Sequence, residues 1–278
     1  MGEKYVASPK YLIPIILSIV FTSILSFFIK IREITVEPIT VFPETPSGAT
    51  LNSSIFIILV AVTATFIYIL VKYGFHRIVM TIIKSTLILA IFVILLWFGA
   101  TVFPFSAASD ILDLTNIIIA SVGTIILVLM MYRGGLRLQI LTLTFISSLT
   151  GTFLGVSIPL LTGFVLLVGL SVYDIISVFR GPIGKIAEKT DLEKFMGAVV
   201  TYKGLTIGMG DLVFYSMLTC STMLNLGYLA FFSSIIGVLA GSYGTFKILE
   251  KREMFPGLPL SLGLGIVGAL LATGITFL

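Results

Sequence analysis

Residues 158–179 read IPLLTGFVLLVGLSVYDIISVF and contain one charged side chain, that of Asp174. An apolar stretch of about 20 residues is long enough to cross the hydrocarbon core of a bilayer as an α-helix. Backbone groups in lipid have to be satisfied within the segment itself, which favours a helix over an open strand. The stretch is therefore predicted to be a transmembrane helix that carries a carboxyl group.

The rest of the chain repeats this apolar pattern. Of its 278 residues, 58% are hydrophobic and 11% are charged, whereas soluble domains have about 25% charged residues. The predicted fold class is all-α, a polytopic membrane protein with about nine transmembrane helices. One transmembrane domain is expected over residues 1–278, with spans one to six in 1–180, a cytoplasmic loop at 181–209 and spans seven to nine in 210–278. The spans are predicted near residues 11–29, 54–71, 79–102, 114–132, 138–156, 158–179, 210–224, 227–246 and 257–278.

Basic residues indicate the orientation of these spans. With the N-terminus in the cytoplasm, the outer side carries only Lys30 and Arg32 of the 17 lysines and arginines. By the positive-inside rule, we expect a multi-pass protein with a cytoplasmic N-terminus and an external C-terminus. The first span is too long for a signal-peptide core and lacks a small-x-small cleavage site, so we expect it to stay in the mature chain. The predicted outer loop 31–53 ends in a glycosylation sequon at Asn52, which is compatible with an external loop.

Two carboxyl groups fall inside the predicted spans at matching depths. Asp174 precedes Arg180 by six residues, about 9 Å along a helix. Asp211 follows Lys203 by eight residues on the next, antiparallel span. An ionisable group inside a span predicts a functional site. The alternative is that each buried Asp is structural and forms a hydrogen bond to a neighbouring helix. Two like charges in a low dielectric cannot both ionise, so we expect this pair to titrate as a unit. A carboxylate beside a carboxylic acid is the chemistry of an aspartic protease.

The residues next to each carboxyl group are distinctive. Asp211 ends the run Gly208-Met209-Gly210-Asp211, whose glycines can adopt positive φ, so we expect a helix to begin at the Asp. Asp174 follows Tyr173, whose hydroxyl could donate to a carboxylate.

The ninth span opens with Pro256-Gly257-Leu258-Pro259. We expect its prolines to prevent helix formation and to leave backbone groups unpaired at the membrane edge. The motif is then either a stiff entry loop or an extended backbone that contacts a substrate.

Glycine pairs four residues apart suit close helix packing. Gly151 with Gly155, and Gly237 with Gly241, place two glycines on one helix face. We expect neighbouring helices to approach closely at both places.

Together the three motifs resemble the presenilin and signal-peptide-peptidase family of intramembrane aspartyl proteases, also called GxGD proteases. The Y-D motif of that family matches Tyr173-Asp174, its G-x-G-D motif matches residues 208–211, and its P-A-L motif matches residues 256–258 with glycine in place of alanine. The resemblance implies an aspartic endopeptidase with Asp174 and Asp211 as its catalytic pair, supported by Tyr173, Gly208, Met209 and Gly210. Pro256, Gly257, Leu258 and Pro259 would contact the substrate.

The resemblance also implies a substrate class. A cytoplasmic N-terminus corresponds to presenilin-like members, so we expect substrates whose N-terminus is outside, namely single-span membrane proteins or membrane stubs. The short connection between spans six and seven resembles archaeal or bacterial single-chain homologues.

Residues 197–202, GAVVTY, follow a polar loop and are rich in β-branched side chains. Such a run favours a strand, although an irregular linker is an equal alternative. Our hypothesis is that Val199, Val200 and Thr201 pair with an unwound substrate, because strand addition exposes an amide that a helix hides.

Other functions remain open at this point. A prepilin-peptidase-like protease also uses G-x-G-D, a proton- or cation-coupled transporter could use the Asp pair as a relay, and a scaffold subunit needs neither. The chain has one histidine and one cysteine, so no metal site and no cofactor are expected, and water is the co-substrate. The expected partners are transmembrane peptide or protein substrates and the lipid bilayer, with no nucleic acid. The oligomeric state is not predicted.

Overall fold

The computed structural model describes residues 7–103, 113–180, 199–202, 205–252 and 254–276. This part of the chain is a bundle of nine α-helices with one small hairpin. The helices are α1 (Ile13–Ile31), α2 (Pro46–Lys72), α3 (His76–Thr101), α4 (Leu114–Arg133), α5 (Leu136–Ser157), α6 (Leu160–Arg180), α7 (Met209–Asn225), α8 (Tyr228–Leu249) and α9 (Leu258–Thr276). The hairpin consists of strands β1 (Val199–Tyr202) and β2 (Leu205–Gly208).

Each predicted span coincides with one of these helices, so the predicted fold class is confirmed. Seven of the helices that the structure describes are long and apolar enough to cross a membrane. Helix α9 is apolar over a shorter stretch, Leu258–Gly274. Helix α7 has 17 residues and is rich in serine and threonine.

Helix α7 lies at the centre of the bundle and packs against α1, α5, α6, α8 and α9. Enclosure by protein explains why this helix can be short and polar, since it does not have to face lipid. Its hydroxyl groups bond to its neighbours: Ser216 Oγ lies 2.8 Å from Ser18 Oγ on α1, and Thr222 Oγ1 lies 3.2 Å from Ser234 Oγ on α8. Within a membrane the hydrophobic effect does not drive helices together, because lipid tails are as apolar as the helix surfaces. Hydrogen bonds between helices therefore contribute to their association.

Both glycine pairs lie at close helix contacts, as the spacing predicts. A Cβ at Gly155 would lie 2.8 Å from Cys220 Cβ, and Gly151 faces the backbone of the same helix, α7. A Cβ at Gly237 would lie 2.8 Å from Gly265 Cα, and Gly241 faces the backbone of α9 at Ser261. Because glycine has no side chain, α5 can pack closely against α7, and α8 against α9.

The connection between α1 and α2 differs from the prediction. Helix α2 begins at Pro46, eight residues before the predicted span, after Thr45 caps it through Oγ1 to the N–H of Gly48. The sequon residue Asn52 is buried in this helix, at 2% exposure. Its Oδ1 accepts the N–H of Phe42 at 3.0 Å and its Nδ2 donates to Phe42 O at 2.9 Å. Asn52 is therefore a structural side chain that fixes the connection, and its place in an outer loop was wrongly predicted.

The hairpin precedes α7 directly. Strands β1 and β2 are antiparallel, with Val199 opposite Gly208 and Tyr202 opposite Leu205. The segment of β-branched residues is thus a strand, and its partner within the chain, β2, was not predicted. The rest of the predicted cytoplasmic loop, residues 181–198, lies outside the described residues.

Candidate active site

Asp174 is held by the backbone at the start of α9. It lies on α6, six residues before Arg180, and is half-buried. Its Oδ2 accepts the backbone N–H of Leu258 at 3.1 Å. A side chain on the sixth helix is in this way fixed by a residue that follows it by 84 positions.

Asp211 lies in the first turn of α7 and is also half-buried. The helix begins at Met209, two residues before the predicted start, because Gly208 ends β2 in an extended conformation with φ −67° and ψ 137°. Glycine permits positive φ at this motif, but Gly208 does not adopt it. A Cβ at Gly208 would meet the Asp211 carboxyl at 3.7 Å, an ordinary contact distance. Gly208 therefore lies against the carboxyl group without a steric need for glycine.

Gly257 lies between the two carboxyl groups. A Cβ at this residue would be 2.8 Å from Asp211 Oδ2, while the N–H of the next residue, Leu258, donates to Asp174. The Gly257 carbonyl accepts hydrogen bonds from Tyr215 Oη and Ser261 Oγ, each at 3.1 Å. One short loop thus touches both acids and is itself fixed from α7 and α9.

The Pro-Gly-Leu-Pro motif is partly helical. Pro256 is buried and precedes the helix, but α9 begins at Leu258 and includes Pro259 in its first turn. The prediction that the prolines prevent helix formation was therefore wrong for Leu258 and Pro259, which are helical. Proline is compatible with a first turn because its missing N–H would have no partner there.

Both carboxyl groups lie at the same short stretch of backbone, Asp174 through its hydrogen bond with Leu258 and Asp211 beside Gly257. No lysine or arginine in the described part of the chain pairs with either of them. The two acids, from neighbouring helices α6 and α7, thus lie against one loop, and their action as a pair stays a prediction. Such an arrangement can hold one proton between two carboxyl groups and use it in acid–base chemistry.

The other predicted site residues lie on α6, on the hairpin and at the start of α7. Tyr173 is half-buried. Met209 packs on the apolar core and Gly210 is exposed. Val199, Val200 and Thr201 lie on β1. Their functional roles stay predictions.

Three polar residues behind the acids were not predicted. Tyr215 is one turn after Asp211 on α7, and Ser261 is one turn after Gly257 on α9. Ser242 on α8 completes the group with its Oγ 3.0 Å from Ser261 Oγ. Tyr215 and Ser261 each follow a predicted site residue by four positions. This helical spacing could have indicated them from the sequence. Within the described residues, no three His, Cys, Asp or Glu side chains form a group that could hold a metal ion.

The fold of this chain is also found among solved structures. The chain superposes on the structure of a presenilin family intramembrane aspartate protease with a TM-score of 0.65. The alignment covers 95% of this chain and 99% of that one, at 21% sequence identity. The chain therefore has the presenilin-family protease fold.

A sequence relative points the same way. Presenilin-B of Dictyostelium discoideum is 33% identical over 146 residues. The match spans 49% of this chain and 29% of that protein, so this chain covers less than a third of its relative. No family model matches the chain. The resemblance to presenilins that the three motifs indicate is confirmed by the relative and by the solved structure.

Proposed function

We propose that this chain is an intramembrane aspartyl protease that hydrolyses peptide bonds of single-span membrane proteins or membrane stubs. The observation that carries the proposal is the contact of both acids with one loop. Asp174 accepts the Leu258 N–H, and Asp211 Oδ2 lies against Gly257. The fold shared with a presenilin family intramembrane aspartate protease favours this function over a transporter or a scaffold.

The proposed reaction is hydrolysis by a carboxylate and a carboxylic acid. The ionised Asp takes a proton from water while the water oxygen forms a bond to the scissile carbonyl carbon. The protonated Asp donates a hydrogen bond to the carbonyl oxygen. When the C–N bond breaks, a proton passes to the leaving nitrogen, and the products are a carboxyl and an amine terminus. Water is the co-substrate, and the two side chains return to their initial protonation states.

The hairpin supplies a place for an unwound substrate. A two-stranded sheet has one free edge on each strand, and β2 runs directly into the first turn of α7, where Asp211 lies. We propose that the substrate adds to this sheet as a further strand, in the region of Val199, Val200 and Thr201, with residues 256–259 on its other side. The amide to be cut would then lie near both acids with its hydrogen bonds outside a helix.

A proline at Val200 tests the strand. Val200 lies opposite Ile207 in the hairpin, and proline interrupts such pairing. Val200→Pro is expected to reduce cleavage by about tenfold or more, with the helical circular dichroism and the melting temperature unchanged, whereas Val200→Thr keeps the β-branched residue and the activity. Full cleavage by the proline variant would reject substrate addition at this strand.

The orientation of the chain sets the substrate class. Helices α2, α4 and α8, which run in the same direction as α6 in an alternating bundle, each have a basic residue in the last turn: Lys72, Arg133 and Lys247. This distribution supports a cytoplasmic N-terminus and an external C-terminus. Substrates with an external N-terminus are then the proposed class.

The decisive experiment compares the two Asp variants with a matched change elsewhere. The purified chain is incubated with a single-span substrate and the products are identified by mass spectrometry. Asp174→Asn and Asp211→Asn are each expected to lose about a hundredfold or more of the activity, the order of magnitude that a general acid or base contributes. Asp113→Asn makes the same chemical change at the N-cap of α4 and is expected to cleave normally.

Two outcomes would contradict the proposal. Cleavage by both single variants would exclude the acid pair as the catalytic group. The same variants in liposomes also test the transporter: a proton or cation flux that is lost with either Asp, without any peptide cleavage by the unmodified chain, would assign the pair to transport.

A further inference from the structure

A small polar cavity lies beside Asp211. Its volume is about 90 Å³. The polar residues in its wall are Asp211, Tyr215, Ser242 and Thr245, and its apolar lining residues include Phe246, Leu249 and Phe255. Asp174 is not among the lining residues, so the cavity reaches the acid pair from the Asp211 side.

Thr245 is the unusual residue in this wall. It lies on α8, is 3% exposed, and its Oγ1 has no hydrogen-bond partner among the described residues. A buried hydroxyl without a partner is unfavourable, and such a group in a native structure needs an explanation. The other hydroxyls of the cavity are already bonded: Tyr215 Oη donates to Gly257 O and Ser242 Oγ donates to Val238 O.

The cavity fits water by size and by chemistry. A cavity of about 90 Å³ is large enough to hold water. A buried water needs two to four polar partners. Thr245 Oγ1, the accepting lone pairs of Tyr215 and Ser242, and the Asp211 carboxyl can supply them.

Glycine at position 257 keeps this space continuous with the acid. Gly257 also lines the cavity, and a Cβ there would lie 2.8 Å from Asp211 Oδ2. Any larger residue would occupy the space between the loop and the carboxyl group. The cavity is thus open to Asp211 because residue 257 has no side chain.

We propose that this cavity holds the water from which the hydrolytic molecule is drawn, and that Thr245 is a positioning residue for that water. The inference rests on the proposed protease function. Water in the cavity is oriented by Thr245 and Tyr215 and reaches the acids at Asp211, since Asp174 is not among the lining residues.

Kinetics of Thr245 variants test the role of the hydroxyl. Thr245→Val keeps the shape and removes Oγ1, and it is expected to reduce kcat about tenfold while KM changes less than about twofold. Thr245→Ser is expected to restore kcat to within about twofold of the unmodified chain. Thr22→Val is the matched control, since Thr22 Oγ1 on α1 is also buried without a described partner and is not in the cavity wall; this variant is expected to cleave normally.

A second measurement does not depend on cleavage. Radiolytic hydroxyl-radical labelling oxidises buried side chains that have water beside them. Phe246, which lines the cavity at 6% exposure, is expected to be oxidised at least about threefold faster than Phe98, a core residue at 3% exposure outside it. The difference is expected to shrink in Thr245→Val.

The outcomes separate this inference from the proposed function. Normal kcat in Thr245→Val, or no recovery in Thr245→Ser, would overturn the positioning role. Equal labelling of Phe246 and Phe98 would show a dry cavity and overturn the water site. If the unmodified chain cleaves nothing, the protease function fails, and the labelling still decides whether water occupies the cavity.

Discussion

Gly257 is the residue at which the smallest change is expected to have a large effect on activity. Its backbone is fixed on three sides: its carbonyl accepts hydrogen bonds from Tyr215 and Ser261, and the next N–H donates to Asp174. A Cβ at this position would lie 2.8 Å from Asp211 Oδ2. Because the loop is held in place, the added methyl group of Gly257→Ala has to displace the carboxyl group of Asp211.

The displacement can be estimated from the distances. Ordinary contact of a Cβ begins at about 3.4 Å, so Oδ2 has to move by about 0.6 Å. A misplacement of 1 Å in a catalytic site can reduce the rate by about a hundredfold, so a shift of this size is expected to reduce kcat by about tenfold, or about 1.4 kcal/mol in the barrier. Alanine occupies this position in the family that the motifs resemble. Alanine is therefore compatible with a loop of this kind, and Gly257→Ala tests the position of the Asp211 carboxyl group in this chain.

The assay is steady-state cleavage of a single-span substrate by the purified chain and its variants. Gly263→Ala is the control, because a Cβ at this exposed glycine of α9 meets nothing within 4 Å. Gly208→Ala is a second control, since its Cβ would contact the Asp211 carboxyl at 3.7 Å, an ordinary contact distance. We expect kcat to fall about tenfold for position 257 and less than about threefold for positions 208 and 263. Full activity of Gly257→Ala would refute the reasoning, and so would an equal loss in Gly263→Ala.

Three further changes probe the structure that supports the site. Gly241→Ala places a Cβ against the α9 backbone and is expected to destabilise the chain by about 1–3 kcal/mol, measured as a lower melting temperature in detergent; an unchanged melting temperature would contradict the close contact. Asn52→Ala removes the side chain that bonds Phe42 and is expected to accelerate amide hydrogen exchange at residues 41 and 42, with no change in exchange in α9 as the internal control. Tyr215→Phe removes the hydroxyl that bonds the Gly257 carbonyl and is expected to reduce kcat about threefold to tenfold. Thr142→Val, which removes a buried hydroxyl on α5, is its control. An equal loss of kcat in that variant would indicate a general effect on folding.

The helices were predictable because each depends on a local property of the sequence. A run of about 20 apolar residues has one stable form in lipid, and glycines four residues apart mark one face. The start of α2 was missed because Thr45 and Pro46 are N-cap and first-turn residues, so the helix continues beyond the apolar run into a polar segment. Asn52 was misplaced for the same reason, since a motif match does not reveal that its amide bonds the preceding connection.

The acid pair was predictable in part. The depth of Asp174 and Asp211 follows from residue counts, because both spans are regular helices. Their common contact with Gly257 and Leu258 does not follow from counts, because it joins residues more than 40 positions apart through tertiary packing. The extended backbone of Gly208 could not be predicted from the motif, because glycine permits positive φ but does not require it.

The surroundings of the two acids explain why one loop has to fix them both. Asp211 lies on α7, which is enclosed by five helices, so packing alone limits its movement. Asp174 lies on α6 beside side chains that are exposed on the bundle surface, Val172 at 50% and Ile176 at 54%. Packing constrains this end of α6 less, and the Leu258 N–H supplies the missing constraint by bonding Asp174 Oδ2. Any movement of this end of α6 therefore acts on the hydrogen bond that fixes Asp174 beside residues 256–259. In the proposed protease function, alignment of the two acids and access of a substrate to them would then depend on this one contact.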